Sequence, residues 1–130
     1  NSKIIEIYNN YRPMYEVSSL SIAIMEKLIN YPKKIDDSVK RLIQGKKYFL
    51  KLMKNLKFNG FDTYGNFLFI DFGEYSKIIN ESLQKNILIR NNFSHDSLKN
   101  YTRFSATTKK NYYSIYKHII KILKTHNLLL

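Results

Sequence analysis

The stretch Asn86–Asn111, NILIRNNFSHDSLKNYTRFSATTKKN, decides how the rest of the chain is read. It predicts a short apolar strand over 87–91 with Arg90 at its end, a polar loop, and a second strand over 101–106 that carries Arg103. Thr107 and Thr108 then open the last helix. The chain has four arginines, Arg12, Arg41, Arg90 and Arg103, among 22 basic residues that are otherwise lysine. Two of the four therefore fall on neighbouring strand-like segments. Arginine captures carboxylate or phosphate in a planar, bidentate pair that lysine does not reproduce. Alternation along the second strand puts Tyr101, Arg103 and Ser105 on one face and Thr102, Phe104 and Ala106 on the other. A guanidinium in that position calls for an anion. A carboxylate of the same protein, solvent or a bound ligand would each answer it.

Outward from this stretch the period of the apolar residues changes twice. Towards the N-terminus, 58–63 and 66–72 read as two strands around Gly65, closed by Gly73, and Tyr75, Ile78, Ile79 and Leu83 mark a short helix. Further back, Ile35, Val39, Leu42, Ile43, Phe49, Leu50, Met53 and Leu56 recur at three- and four-residue steps, predicting a long amphipathic helix over 33–56. Gly45 lies inside it, at a cost of about 1 kcal/mol relative to alanine. Before it, Ser18 or Ser19 caps a helix over 19–30 that is apolar around most of its circumference and is expected to be buried. Pro32 ends that helix. A first short helix spans 3–11 and leads into the turn at Arg12-Pro13. Towards the C-terminus, 108–125 is a helix burying Tyr112, Ile115, Tyr116, Ile119, Ile120, Ile122 and Leu123. The predicted fold is α/β in composition, α+β-like in layout. A long helix is followed by a small mixed or antiparallel sheet covered by helices.

At 130 residues, 44% hydrophobic and 15% aromatic, the chain has one domain's worth of core. It has no cysteine, which excludes disulfides and thiolate metal sites, and its three histidines are too scattered for a metal cluster. No stretch approaches the roughly 20 apolar residues of a membrane span, and with no secretory signal a cytoplasmic setting is expected. The net charge of +12 raises a basic interaction or nucleic-acid-binding module as the alternative function. The lysines are spread along helix faces, and Tyr112, Tyr116 and the phenylalanines are assigned to core faces, so specific nucleic-acid binding is not expected. The chain begins at Asn1 and enters the apolar segment IIEIY directly, so it reads as a piece of a longer protein.

Four stretches, in order and at matching spacing, carry a family resemblance. They are Asn10–Ser21 (NYRPMYEVSSLS), Gly65–Ile70 (GNFLFI), Asn86–Arg90 (NILIR) and Tyr101–Thr107 (YTRFSAT). The chain resembles the C-terminal part of class I/II pyridoxal-phosphate aminotransferases, in the branch of histidinol-phosphate aminotransferase and threonine-phosphate decarboxylase. Residues 1–32 then correspond to the end of the cofactor-domain connection and the start of the interdomain helix, and 33–130 to the small domain. The resemblance implies that Arg103 binds the substrate α-carboxylate and that Arg90 binds a substrate phosphate or side chain. It puts Asn66 and Tyr15 near the site. It also implies pyridoxal 5'-phosphate as cofactor, an amino donor and a keto acid as substrates, and a homodimer. Ala106 replaces the family's usual glycine, Asn86 replaces another, and Glu16 stands where histidinol-phosphate enzymes carry asparagine. No serine- and glycine-rich segment holds a Schiff-base lysine, so no catalytic residue is expected in this chain, nor transamination by it alone.

Overall fold

In the computed structural model, which describes residues 2–11 and 17–128, the chain forms two compact units, 1–36 and 37–130. In the first, α1 (Ser2–Tyr11) and α2 (Ser19–Leu28) are both short. Ser18 caps α2, its hydroxyl accepting the Ser21 amide at 3.2 Å. The expected burial of α2 is not observed: Leu20, Ile22, Ile24 and Met25 all stay exposed. An apolar circumference states that a helix needs cover, and no described element of its own unit supplies it.

Helix α3 (Pro32–Asn55) starts in the first unit and has most of its length in the second. Pro32 sits at its first turn, where a missing N–H costs nothing. Its leading apolar residues, Ile35, Val39 and Ile43, are exposed, whereas Phe49 and Met53 are fully buried. The helix ends in a Schellman motif: the Phe58 amide donates to the Met53 carbonyl at 3.0 Å and the Lys57 amide to that of Lys54 at 2.9 Å. This puts Lys57 at φ 64°, a left-handed conformation that glycine adopts more cheaply.

The sheet has three antiparallel strands in the order β1 (Asn59–Asp62), β2 (Phe67–Asp71), β3 (Tyr101–Ser105). Helix α4 (Ser76–Leu83) lies between β2 and β3 in sequence, and α5 (Lys109–Thr125) closes the chain under a Thr108 cap. Leu68, Ile70, Thr102 and Phe104 point from the sheet into a core completed by Phe49, Met53, Phe72, Ile79, Leu83, Tyr112, Ile119, Ile122 and Leu123. Phe49 stands edge-on to Phe104 at 5.3 Å and stacks on Tyr112 at 4.4 Å, joining α3, β3 and α5. The buried Thr102 hydroxyl donates to the Asn80 side-chain carbonyl at 2.7 Å, so β3 and α4 satisfy each other's polar groups. No helix among the described residues is long and apolar enough to cross a membrane.

One predicted strand is absent. Residues 87–91 leave α4 through an Ile87-to-Leu83 backbone hydrogen bond of 2.9 Å and pack Ile87 and Ile89 against the core. They pair with the sheet only at Arg90, which forms a single antiparallel bridge with Arg103. An apolar run such as Ile87-Leu88-Ile89 has the composition of a strand. Pairing also needs a partner along its length, and β3 offers one for a single residue.

Candidate functional site

Register determines the site. Phe61 lies across from Phe69, Phe69 across from Arg103, and Arg103 across from Arg90. Residues directly opposite in antiparallel pairs share a face, so these four form one row across the outer side of the sheet. Arg90 and Arg103 exchange both backbone hydrogen bonds: the Arg103 amide donates to the Arg90 carbonyl at 2.8 Å and the reverse bond is 3.3 Å. The two guanidinium stems thus leave the sheet side by side.

Each guanidinium rests near an aromatic ring. Arg103 stands 5.0 Å from the Phe67 ring centre and Arg90 5.8 Å from that of Phe93. The rings belong to one outer cluster: Phe61 stacks on Phe69 at 5.0 Å, and Phe93, Phe67 and Tyr101 contact Phe69 at 5.6, 5.8 and 6.5 Å. A ring beneath a guanidinium holds its plane while leaving the N–H edge free for an anion. Among the described residues, neither arginine forms an ion pair with a carboxylate, whereas Lys46 pairs with Asp62. Of the three answers open at the level of sequence, pairing with a carboxylate of the described residues is thereby removed. Arg103 is half-buried and Arg90 exposed.

These rings also correct the assignment of all the phenylalanines to the core. Phe61, Phe67 and Phe69 occupy the outward positions of their strands, and Phe61 is 42% exposed. Strand alternation alone does not say which face meets helices.

Asn66 lies at the end of the β1–β2 turn, exposed, and its carbonyl accepts the Ala106 amide at 2.6 Å. That bond pairs its backbone at the end of β3. Tyr15, with Arg12 and Glu16, lies outside the described residues. The position of Ala106 keeps its amide in that bond despite the departure from glycine.

Sequence reading passed over two residues that shape this region. Gly45 was read as a helix penalty, yet a Cβ there would overlap the Thr107 carbonyl, so glycine is what lets α3 meet the chain just after β3. Lys46, one lysine among many, is buried: its ammonium donates to the Thr63 and Gly65 carbonyls at 2.9 and 3.0 Å and pairs with Asp62 at 2.5 Å. The signal for both was their adjacency on the inward face of α3, one turn before Phe49.

Three curated relatives match this chain. The histidinol-phosphate aminotransferase of Flavobacterium johnsoniae is 25% identical over 109 residues, 82% of this chain and 31% of that protein. Those of Thermotoga neapolitana and Clostridium novyi are 28% and 26% identical over 69% and 85% of this chain, covering 28% and 31% of their own lengths. The chain resembles histidinol-phosphate aminotransferases. It spans about a third of the length of these relatives. No protein-family model matches it. The fold agrees: the crystal structure of histidinol-phosphate aminotransferase from Sinorhizobium meliloti in complex with pyridoxal-5'-phosphate superposes with a TM-score of 0.73 over 93% of this chain and 34% of that one, at 13% identity. The helix-covered antiparallel sheet of this histidinol-phosphate aminotransferase-like chain is thus shared with a known aminotransferase structure.

The buried lysine of the described residues is not free to hold a cofactor. A lysine has three N–H donors, and Lys46, the buried one, has all three engaged. Nor do the described residues hold a cluster of metal-ligating side chains.

Proposed function

We propose that this chain is the substrate-binding small domain of a pyridoxal-phosphate-dependent aminotransferase, with residues 33–130 as the domain and 1–32 as its connection to a cofactor domain outside these 130 residues. The observation that carries the reading is the juxtaposition of Arg103 and Arg90 on one sheet face, each laid against a ring and neither engaged by a carboxylate. Arg103, half-buried in a fully paired strand, binds the α-carboxylate of an amino or keto acid through its bidentate edge. Arg90 meets a second anionic group, a phosphate or acidic side chain, at the other end of the substrate. Two fixed anion anchors orient the molecule between them, and orientation is what a protein contributes to a cofactor's chemistry. Lys46 is not the residue that holds the cofactor, because its donors hold the β1–β2 turn. Pyridoxal 5'-phosphate belongs to the missing domain, a homodimer is the expected assembly, and the cytoplasm is the expected compartment.

The test is a pyridoxal phosphate titration of the longer protein that contains this chain. Schiff-base absorbance is followed before and after adding amino donors with and without a phosphate. A band that shifts with donor, more readily for one bearing a second anion, is the expected result. A folded protein that develops no band overturns the reading.

A further inference from the structure

Lys46 is 5% exposed in a helix whose other lysines reach solvent, and a buried ammonium is retained only where its hydrogen bonds are met. All three go to one target, the turn between β1 and β2: the Thr63 carbonyl, the Gly65 carbonyl and the Asp62 carboxylate. The turn is drawn tight around that cation. Asp62 also accepts the Thr63 amide at 2.7 Å, and the Thr63 hydroxyl donates to the Phe67 carbonyl at 2.6 Å. The next residue after Gly65 is Asn66, whose carbonyl holds the Ala106 amide, three positions beyond Arg103. Phe67, the ring beneath Arg103, begins the strand that leaves this turn. The end of β3 is held on its other side as well, by the Tyr112 hydroxyl donating to the Ser105 carbonyl at 3.0 Å and by the close approach of Gly45 to Thr107.

We propose that Lys46 is a positioning residue for Arg103. It fixes the β1–β2 turn, and through the Asn66 carbonyl and the Phe67 ring it sets where the Arg103 guanidinium stands. The ligand half of this inference rests on the proposed carboxylate role of Arg103; the mechanical half stands on the hydrogen bonds alone. Lys46 itself touches no substrate.

The experiment uses the longer protein, with Lys46→Met, which keeps an unbranched stem and removes the ammonium, and Asp62→Asn as a milder second variant at a part-exposed site. Amide exchange is measured over 62–67, 103–107 and 112–123. Affinities are measured for pyruvate, which presents a carboxylate and no phosphate, and for inorganic phosphate. In Lys46→Met, exchange is expected to rise about tenfold in the first two segments and to hold in the third. The Kd for pyruvate is expected to rise about tenfold, with that for phosphate within twofold. Asp62→Asn shows the same pattern at two- to threefold, and decides the matter if Lys46→Met does not fold. Faster exchange in the turn with unchanged pyruvate affinity overturns the proposal, as does exchange unchanged in 103–107. If wild-type protein binds pyruvate no better than Arg103→Ala does, the carboxylate reading fails instead, and the exchange pattern still reports whether Lys46 controls the strand.

Discussion

The two arginines are presented by segments of opposite character. Arg103 sits in β3, paired along its length with β2, with Thr102 and Phe104 sealed into the core on its inner face. Arg90 sits in 87–91, held to the sheet by one bridge, with Leu88 99% exposed beside it. The same planar group is thus offered once from a strand paired along its length and once from a segment that pairs with the sheet at one residue. That segment packs through Ile87 and Ile89, and we expect it to yield more readily. A rigid anchor suits the part of a substrate that never varies, and a yielding one suits the part that differs in length or charge. In the proposed enzyme these are the α-carboxylate and the side-chain anion.

The widest gap between the two segments is expected in stability. Phe104→Ala removes a ring that meets Phe49 at 5.3 Å and Phe72 at 6.2 Å, and is expected to cost about 3–5 kcal/mol in denaturant unfolding. Leu88→Ala is expected to stay within about 0.5 kcal/mol. Comparable losses at the two positions would break the contrast.

Binding should follow the same ranking. In the longer protein, Arg103→Ala is expected to weaken carboxylate ligands by about 2–5 kcal/mol, as when one member of a hydrogen-bonded charge pair is truncated. Arg90→Ala should cost less, about 1–2 kcal/mol, and only for ligands with a second anion. Titration calorimetry with both ligand types reads this directly. A larger loss at Arg90 would reverse the assignment of anchor and adjustable contact.

The helix that holds the end of β3 carries a pH signature through Tyr112. Burial pushes the Tyr112 phenol up to about 12, and the Asp62 carboxylate adds to this while a Thr107 backbone hydrogen bond opposes it. The raised value means the folded state favours the neutral phenol. Its contribution, on the order of 2–3 kcal/mol, is therefore complete below pH 10 and lost as pH rises from about 10 to 12. Tyr112→Phe should flatten that loss in unfolding measured across the same range. A small effect of opposite sign is expected away from both segments: Lys57→Gly, which relieves the left-handed residue closing α3, should stabilise by about 0.5–1 kcal/mol in thermal unfolding.

Elements whose residues carry their own periodicity were legible in the sequence. The α3 stripe, the two hairpin strands and the inward residues of α5 all appear within a residue or two of where alternation and three-four spacing put them. So do the caps at Ser18 and Thr108. What depended on a distant partner was not legible. Residues 87–91 looked like a strand because strand composition is local and strand pairing is not. Helix α2 looked buried because an apolar surface does not name what covers it. Arg103 stands out in the sequence because a mid-strand guanidinium is unusual in itself, but Phe61, Phe67 and Phe69, which read as core residues, lie on the outer side of the sheet. Lys46 was hidden by the number of its equivalents.

The close approach of Gly45 to Thr107 joins residues some sixty positions apart in the chain, and this has a consequence for the order of folding. Helix α3 and the β1–β2 hairpin are built from local contacts and can assemble early, with Lys46 closing the turn. The groove left at Gly45 is filled only when the segment after β3 arrives, which requires closing a long loop at an entropic cost that local structure does not meet. The strand carrying Arg103 is therefore expected to dock after the hairpin has formed. Until it docks, β2 keeps an unpaired edge.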